Sequence, residues 1–315
     1  MSQAAASITG KCIAACGSLD DRLEHVCDRL RYETLRAHQN CLGKIKMAER
    51  IDVGRITLNV DQMGDGPPFI FIPGLVGVMN SWDYQRKIFS DRYRCISFDH
   101  RGSGDSDFPG PDGYSTQHIA DDVIALMDTL EIEKAHVLGT STGGAILQNL
   151  AIDHPDRFRC CIFSNTWTKA DEYIRRVQTA RREIALAEGK EAYVRVSSLF
   201  TNGCMQFRHN LDKVMELEKR SLETIAEPEI LAARIDMTLN HDRLDEISQI
   251  KNPSLVVGTR DDATVPFYFS EDLHEAIEGS ELVLVEEGGH YSYRRHPEEW
   301  AGIVGPFLAK WEDKI

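Results

Sequence analysis

A short glycine-rich turn at residues 139–144, with the sequence Gly-Thr-Ser-Thr-Gly-Gly, constrains the fold of this chain more than any other segment. An apolar, strand-like run precedes it at residues 135–138, and a helix-like run follows it. A strand, a tight Gly-x-Ser-x-Gly turn and a helix form the arrangement known as a nucleophile elbow. Because such a turn must expose the serine hydroxyl above a sheet, the positions two residues before and two residues after Ser141 need small residues, which Gly139 and Gly143 supply. The turn therefore predicts that Ser141 is a nucleophile.

Strand-like and helix-like segments alternate along most of the chain. The predicted strands lie at residues 51–60 (two short strands around a glycine), 69–72, 94–98, 135–138, 160–163, 254–258 and 282–285. This alternation predicts an α/β fold with a mostly parallel sheet and helices on both faces. Residues 169–250 interrupt the pattern, since they are charged and helical without a buried strand. We therefore predict a core at residues 49–168 and 251–315, and a helical cap at residues 169–250 over the carboxyl ends of the strands.

The first 48 residues form an extension outside this alternation. Apolar residues from Leu19 to Cys41 recur at spacings of three, four and seven, which predicts an amphipathic helix. Such a helix either packs against its own domain or forms the interface of a homo-oligomer, and the sequence leaves both interpretations open.

The charge balance and the cysteines exclude several classes of partner. A net charge of −14, from 36 basic and 50 acidic side chains, argues against nucleic acid and against an anionic membrane surface. No apolar run approaches the ~20 residues of a membrane span, and no secretory signal is recognisable at the N-terminus. The eight cysteines lack the paired spacing of zinc ligands, and a chain of this length does not require disulfides. We expect a cytoplasmic protein that acts on a small molecule, with no metal and no cofactor.

A nucleophilic serine needs a base, and His290 is the best candidate. It follows a predicted strand in the sequence Glu-Glu-Gly-Gly-His, at the carboxyl end of the sheet. Few of the eleven histidines lie at a strand end after Ser141. His100 lies at another strand end and is the second candidate, with an exposed loop histidine as the alternative interpretation.

The residue that orients the base is expected in the loop after the strand that ends at Gly258. Two adjacent aspartates, Asp261 and Asp262, occupy this loop, and the spacing suits either of them. We favour Asp262, because Pro266 anchors the following helix and fixes the turn. The other aspartate is then expected to make a structural contact in the turn.

Two backbone amides are expected to form an oxyanion hole, which stabilises the negative charge on the carbonyl oxygen. The N–H of Thr142, directly after the nucleophile, is one donor. The second is the N–H of Leu75, in the loop after the first buried strand, where Gly74 leaves space beside the backbone. Gly74 and Trp167 are also candidates for contact with the substrate, although core packing is the alternative interpretation of Trp167.

The chain resembles the α/β-hydrolase superfamily over about residues 50–312. The resemblance is carried by Gly-Thr-Ser-Thr-Gly at residues 139–143, Asp-His-Arg-Gly-Ser-Gly-Asp-Ser at 99–106, the paired aspartates, and Gly-His at 289–290. It is most similar to the 3-oxoadipate enol-lactonases, the meta-cleavage C–C hydrolases and the aminoacrylate hydrolase of pyrimidine breakdown. One departure is Pro73-Gly74, where the family usually has His-Gly.

This resemblance implies a cofactor-independent serine hydrolase that acts on a small ester, enol-lactone, amide or thioester enclosed by the cap. An acyltransferase, a C–C bond hydrolase or a cofactor-free dioxygenase would use the same triad of Ser141, His290 and Asp262. A ligand-binding protein that keeps the hydrolase fold with little turnover is the alternative from a different class.

Overall fold

The computed structural model describes residues 48–110 and 112–312, and within these residues eight strands form one sheet. The strands are β1 Glu49–Asp52, β2 Thr57–Met63, β3 Pro68–Ile72, β4 Arg94–Phe98, β5 Ala135–Thr140, β6 Phe158–Ser164, β7 Ser254–Thr259 and β8 Glu281–Val285. Their order is β1-β2-β4-β3-β5-β6-β7-β8; β2 is antiparallel to both of its neighbours, and all pairs from β4 to β8 are parallel. The predicted mostly parallel sheet is confirmed.

Helices connect the strands and cover the sheet. They are α1 Asp83–Phe89, α2 Thr116–Thr129, α3 Thr142–Asp153, α4 Glu172–Asn202, α5 Cys204–His209, α6 Leu211–Thr224, α7 Pro228–Leu239, α8 Tyr268–Ala276, α9 Ser292–Arg295 and α10 Pro297–Trp311. Short 3₁₀ turns lie at Met79–Trp82, Pro155–Arg157, Leu244–Gln249 and Gly289–Tyr291. Helix α2 begins directly after Ser115, whose Oγ caps it by accepting a hydrogen bond from the His118 amide at 2.9 Å.

Both faces of the sheet are buried, which explains the continuous apolar runs of its central strands. All residues of β5 and β7 are buried. One face packs against α2 and α3 through residues such as Ile119 and Leu147, and the other packs against α1 and α10 through an aromatic cluster that includes Trp82 and Trp300. This double packing fixes the carboxyl ends of the strands, where the loops with the predicted site residues begin.

Helices α4 to α7 lie between β6 and β7. Helix α4 bends at Gly189, whose φ of 81° and ψ of −172° are not helical. The two legs of α4 then contact each other, since Arg181 Nε lies 3.0 Å from Ser197 Oγ across 16 residues of sequence. We call this folded helix the cap hairpin. Tyr193 lies in an apolar cluster with other residues of α4 and with residues of α6 and α7. The partly buried Leu75, from the loop after β3, packs against this cluster.

Several contacts attach the cap hairpin to the loops of the core. Near its start, Tyr173 Oη donates to the Ala263 carbonyl at 2.7 Å, and Tyr268 Oη donates to Asp171 Oδ2 at 2.7 Å. At its end, Thr201 lies against the loop before His290: a Cβ added to Gly289 would be 2.6 Å from the Thr201 carbonyl oxygen. The hairpin therefore touches both the aspartate loop and the histidine loop.

The predicted N-terminal helix and the homo-oligomer through it fall on residues outside those described, so both stay predictions. In the described residues, no helix has the length and apolarity that a membrane crossing needs.

Candidate active site

Ser141 stands on a strained turn between β5 and α3. Its φ of 54° and ψ of −122° lie in a region that residues with a side chain rarely adopt. The surrounding structure holds this conformation in place: the Ser141 amide donates to the Ser164 carbonyl at 2.9 Å, and Thr166 Oγ1 donates to the Ser141 carbonyl at 2.8 Å. The strand–turn–helix geometry predicted for residues 139–144 is therefore present.

The glycines of the turn are required by close backbone contacts. A Cβ on Gly139 would lie 2.2 Å from the Gly143 carbonyl oxygen, and a Cβ on Gly143 would lie 2.3 Å from the Ile72 carbonyl oxygen. Real Cβ atoms do not approach backbone oxygens this closely. The elbow thus packs against both its own strand and the end of β3, which brings the β3 loop next to Ser141.

His290 is hydrogen-bonded to Asp262, and both side chains are buried. The distance from His290 Nδ1 to Asp262 Oδ2 is 2.7 Å. An ionised carboxylate can only accept, so Nδ1 carries the proton and Nε2 is the ring nitrogen that can accept one. This arrangement holds the tautomer that a general base needs.

The Asp262 carboxylate is held by three further donors. Its Oδ1 accepts from the amides of Thr264 and Val265 at 2.8 and 3.0 Å. Its Oδ2 accepts from Asn165 Nδ2 at 2.8 Å as well as from His290. With every lone-pair direction occupied, the carboxylate is fixed in one orientation.

Asp261 supports the loop that carries His290. Its two carboxylate oxygens accept from the amides of Gly288 and Gly289, at 3.2 and 2.7 Å. Both glycines have positive φ, 129° and 61°, so this carboxylate stabilises a turn that other residues adopt with difficulty. Of the two aspartates, Asp262 is the one in contact with the imidazole.

The two amides proposed for the oxyanion hole belong to two segments that adjoin Ser141. Thr142 is the first residue of α3, where the N–H groups have no intrahelical acceptor. A Cβ added to Gly74 would lie 3.4 Å from Ser141 Cβ, so the loop that continues into Leu75 touches Ser141. In the described part of the chain, the amides of Leu75 and Thr142 donate no hydrogen bond, which leaves both available to a ligand.

The structure places two other candidates inside the protein. Trp167 is completely buried in a cluster with Ile174, Val265 and Phe269, as the core-packing interpretation expects. His100 is buried rather than exposed, so its alternative interpretation as an exposed loop histidine is wrong. Burial lowers the pKa of His100 to about 3, with smaller contributions from the charges of two nearby arginines, so this imidazole is neutral at pH 7.

Sequence reasoning missed two residues beside the site. Asn165, directly after β6, donates a hydrogen bond to the Asp262 carboxylate. The only sequence signal for this role is a polar residue at the end of a strand next to the elbow. Arg234 of α7 donates to the Val76 and Arg101 carbonyls at 3.0 and 3.2 Å, and so attaches α7 to the loops after β3 and β4. An arginine in a helix is ordinarily solvated, so the sequence gave no indication of its burial. Among the described residues, no cluster of His, Cys, Asp and Glu has the arrangement of a metal site.

Comparison with known proteins agrees with this geometry. The sequence profile of the alpha/beta hydrolase fold matches residues 67–297. A protein from Pseudomonas syringae pv. syringae (strain B728a) named "Putative carbamate hydrolase RutD" is 29% identical over 248 residues, which are 79% of this chain and 96% of the relative. The protein of that name from Azorhizobium caulinodans is 32% identical over 228 residues, 72% of this chain and 85% of the relative.

Solved structures share the fold at lower identity. The enol-lactonase from Burkholderia xenovorans LB400 has a TM-score of 0.75 and 24% identity, over 83% of this chain and 100% of that one. Est816, described as an N-acyl homoserine lactone degrading enzyme, has a TM-score of 0.71 and 23% identity, over 82% of this chain and 100% of that one. The profile match spans well over half of the sequence, and the strained serine turn follows the central strand as in that fold. This chain is a member of the α/β-hydrolase fold family.

Proposed function

We propose that this protein is a serine hydrolase in which Ser141, His290 and Asp262 form a catalytic triad. The observation that supports this most directly is the fixed Asp262–His290 pair, at 2.7 Å, at the same edge of the sheet as the strained Ser141 turn. A nucleophile, a base in a defined tautomer and an orienting carboxylate are the groups that acyl transfer needs.

In the proposed reaction, Ser141 Oγ attacks the substrate carbonyl while His290 Nε2 takes the hydroxyl proton. Asp262 holds the imidazole and stabilises its positive charge. The amides of Leu75 and Thr142 bind the oxyanion of the tetrahedral intermediate, and His290 then protonates the leaving group. A water molecule, activated by the same imidazole, releases the acid and regenerates Ser141.

The hydroxyl of Ser141 makes no hydrogen bond in the described part of the chain, and Ser141 and His290 are 6% and 5% exposed. We expect the serine and the imidazole to come into hydrogen-bond contact when a substrate binds. Catalytic hydrogen bonds that tighten only in the substrate complex are common in this type of site.

The names of the relatives suggest the kind of carbonyl compound. A carbamate hydrolase and an enol-lactonase both act on acyl compounds, and both resemble this chain over most of their length. We therefore propose a small ester, lactone, amide, thioester or carbamate as the substrate. Acyl transfer to another nucleophile, C–C bond hydrolysis and cofactor-free oxygenation remain chemically compatible with the same groups.

The experiment combines covalent labelling with turnover. Purified protein is treated with a fluorophosphonate probe, and the labelled residue is identified by peptide mass spectrometry; hydrolysis of short 4-nitrophenyl esters is followed beside a Ser141→Ala variant. We expect labelling at Ser141 and a loss of turnover of about 10³-fold or more in the variant. An unlabelled, correctly folded protein whose turnover does not depend on Ser141 would refute the proposal. Stoichiometric ligand binding without turnover would favour the ligand-binding alternative.

A further inference from the structure

A buried chain of hydrogen bonds lies behind the Asp262–His290 pair. Its members are Asn165, Thr259 and Ser292, each of which is no more than 1% exposed. Asn165 follows β6, Thr259 is the last residue of β7, and Ser292 is the first residue of α9. Three separate elements of the fold therefore bring one polar side chain each to the same part of the interior.

The charge of Asp262 determines the direction of these hydrogen bonds. An ionised carboxylate can only accept, so the amide NH2 group of Asn165 faces Asp262 Oδ2, at 2.8 Å. The second N–H of this group donates to Thr259 Oγ1 at 3.1 Å. The proton of the Thr259 hydroxyl is then directed to Ser292 Oγ at 2.8 Å, a much shorter contact than the 3.5 Å to the amide oxygen of Asn165.

The other end of the Asn165 amide is also held. Its carbonyl oxygen accepts a hydrogen bond from Ser164 Oγ at 3.2 Å. If the amide were turned over, its oxygen would face the Asp262 carboxylate, and two acceptors would repel each other. Ser164 and Thr259 thus hold the amide in the orientation that the carboxylate requires.

These hydrogen bonds close a ring around the pair. Asp262 and His290 contact each other directly at 2.7 Å. A second path leads from the carboxylate through Asn165 and Thr259 to Ser292. Ser292 is only two residues after His290, so the path returns to the histidine along the backbone. The carboxylate and the imidazole are therefore connected twice, and we call this second connection the triad ring.

The strand end that carries Asn165 also holds the proposed nucleophile. The residue before it, Ser164, accepts a hydrogen bond from the Ser141 amide at 2.9 Å through its carbonyl. The residue after it, Thr166, donates to the Ser141 carbonyl at 2.8 Å through its hydroxyl. The triad ring is thus attached to the same three residues that fix the serine turn.

Packing alone does not require hydroxyl groups in this place. Two hydrogen-bonded side chains can often be replaced together by apolar groups of the same shape at little cost in stability. Buried polar groups are costly unless all of them have partners. The triad ring satisfies this condition around one charged group, the Asp262 carboxylate.

We propose that Thr259 and Ser292 are positioning residues for His290. The Thr259 hydroxyl joins Asn165 to the turn that carries the imidazole, and so keeps the imidazole and the Asp262 carboxylate aligned for proton transfer. Both residues act through this alignment and not by contact with a substrate. The inference rests on the proposed function, because it concerns the same triad.

The first part of the test compares Thr259→Val with Thr259→Ser. Valine replaces the hydroxyl by a methyl group and leaves an Asn165 N–H without its acceptor, whereas serine keeps the hydroxyl. For a short 4-nitrophenyl ester, we expect Thr259→Val to lower kcat by about 10-fold with KM within about 2-fold of wild type. Thr259→Ser should keep kcat within about 2-fold of wild type.

Ser292→Ala is a second variant, which removes the acceptor of the Thr259 proton and leaves the threonine in place. It should lower kcat in the same direction by a smaller factor. Its matched control is Ser254→Ala, at the opposite end of β7, where a buried hydroxyl donates to the Asn252 carbonyl at 2.8 Å. This control loses a hydrogen bond outside the ring, so its unfolding midpoint should fall while kcat stays at the wild-type value.

The second part of the test observes the His290–Asp262 contact directly and needs no turnover. The proton on His290 Nδ1 lies in a short hydrogen bond to a carboxylate, which moves its resonance downfield of the amide protons in a one-dimensional proton spectrum. We expect this signal in wild type and its absence in His290→Gln. Thr259→Val should move it upfield or broaden it, because a loosened pair exchanges its proton faster with water, and Ser254→Ala should leave it unchanged.

The two parts separate this inference from the proposed function. If wild type showed no Ser141-dependent turnover but Thr259→Val still changed the His290 signal, the triad ring would be supported while the hydrolase proposal failed. If turnover depended on Ser141 but Thr259→Val kept the wild-type kcat and signal, the hydrolase proposal would stand and the inference would be overturned. A loss of kcat without a change in the signal, an equal loss in Ser254→Ala, or a wild type without the signal would also overturn it.

Discussion

Asp262 and His290 are joined by a hydrogen bond of 2.7 Å, while Asp261, one residue earlier, turns to the amides of the glycines that precede the same histidine. The two adjacent carboxylates thus support one histidine in two different ways. Asp262 orients its ring, and Asp261 shapes the loop that carries it. Substitution of Asp262 should therefore affect turnover, whereas substitution of Asp261 should affect stability.

The first prediction concerns Asp262→Asn. An amide at this position can donate to the imidazole, which favours the tautomer with the proton on Nε2 and removes the base. We expect kcat to fall by about 10³- to 10⁴-fold with little change in fold. The measurement is kcat for a 4-nitrophenyl ester, together with the circular dichroism spectrum.

Asp261→Asn is the matched control for this substitution. It weakens the two hydrogen bonds to the Gly288 and Gly289 amides, so it should lower the unfolding midpoint while kcat stays within about 10-fold of wild type. If Asp261→Asn abolished turnover and Asp262→Asn did not, the assignment of the triad acid would be reversed.

The second prediction concerns Asn165, which donates to the Asp262 oxygen that also binds His290. Asn165 has a φ of 46°, so Asn165→Gly removes the side chain without backbone strain. Without this donor, the carboxylate loses one of its four contacts and holds the imidazole less firmly. We expect kcat for a 4-nitrophenyl ester at pH 7 to fall by about 10-fold.

A purely structural role for Asn165 would give a different result in the double variant Asn165→Gly/Asp262→Asn. If Asn165 acts through Asp262, its removal in the Asp262→Asn background should lower kcat by much less than about 10-fold. The full loss of about 10-fold in that background would show that Asn165 does not act through the Asp262–His290 pair.

The elbow could be predicted from the sequence because its causes are local. Two glycines beside Ser141, with a strand before and a helix after, are all adjacent in the chain, and the alternation of elements similarly determines the parallel sheet. The choice between Asp261 and Asp262 is not local. It depends on Asn165, 97 residues away, and on Gly289, 28 residues away, whose positions only the folded sheet defines.

Burial of charged residues was the main feature that the sequence did not reveal. Arg181 and Arg234 are charged residues in helices, where a solvated position is the ordinary expectation. Arg181 contacts the second leg of α4 because the helix folds back at Gly189, and His100 is buried near Arg234, which is more than 130 residues later in the chain. Such contacts between distant segments have no signature in local periodicity.

The third prediction tests the close packing of the elbow. Gly143→Ala places a methyl group 2.3 Å from the Ile72 carbonyl oxygen and 2.6 Å from that of Pro73. Because both obstacles are backbone atoms, the turn or the β3 loop has to shift, at a cost of about 1–3 kcal/mol. We expect a lower midpoint in urea unfolding and a lower kcat.

Gly302→Ala is the corresponding control in a helix. A Cβ at Gly302, inside α10, meets no atom within 4 Å, so alanine should stabilise the protein by about 0.5–1 kcal/mol through its helix propensity and leave kcat unchanged. A Gly143→Ala variant with wild-type stability and activity would contradict the packing described for the elbow.

The fourth prediction concerns the pH dependence of stability through His241. This residue, which follows α7, is buried against α2 and α3, with Nδ1 3.0 Å from Thr116 Oγ1 and Nε2 3.1 Å from Gln148 Oε1. Burial lowers the pKa of His241 to about 4, and the charge of Arg243 adds to this effect. In the unfolded chain the pKa of a histidine is about 6.5.

The sign of the effect follows from which state binds the proton. Between pH 6.5 and about 4, the unfolded chain protonates this imidazole and the folded protein does not, so acidification favours unfolding. The stabilising contribution of His241 is fully present above pH 6.5 and is lost as the pH falls towards 4. From pH 7 to pH 5, the loss from this group is about 2 kcal/mol.

The measurement is the free energy of urea unfolding at pH 7 and pH 5 for wild type and His241→Gln. The variant should be less stable than wild type at pH 7, because its shorter side chain cannot bridge both partners. Between pH 7 and pH 5, however, it should lose about 2 kcal/mol less than wild type, since glutamine does not titrate. Identical losses in the two proteins would mean that His241 takes up its proton in the folded state and that its buried contacts with α2 and α3 tolerate the charge.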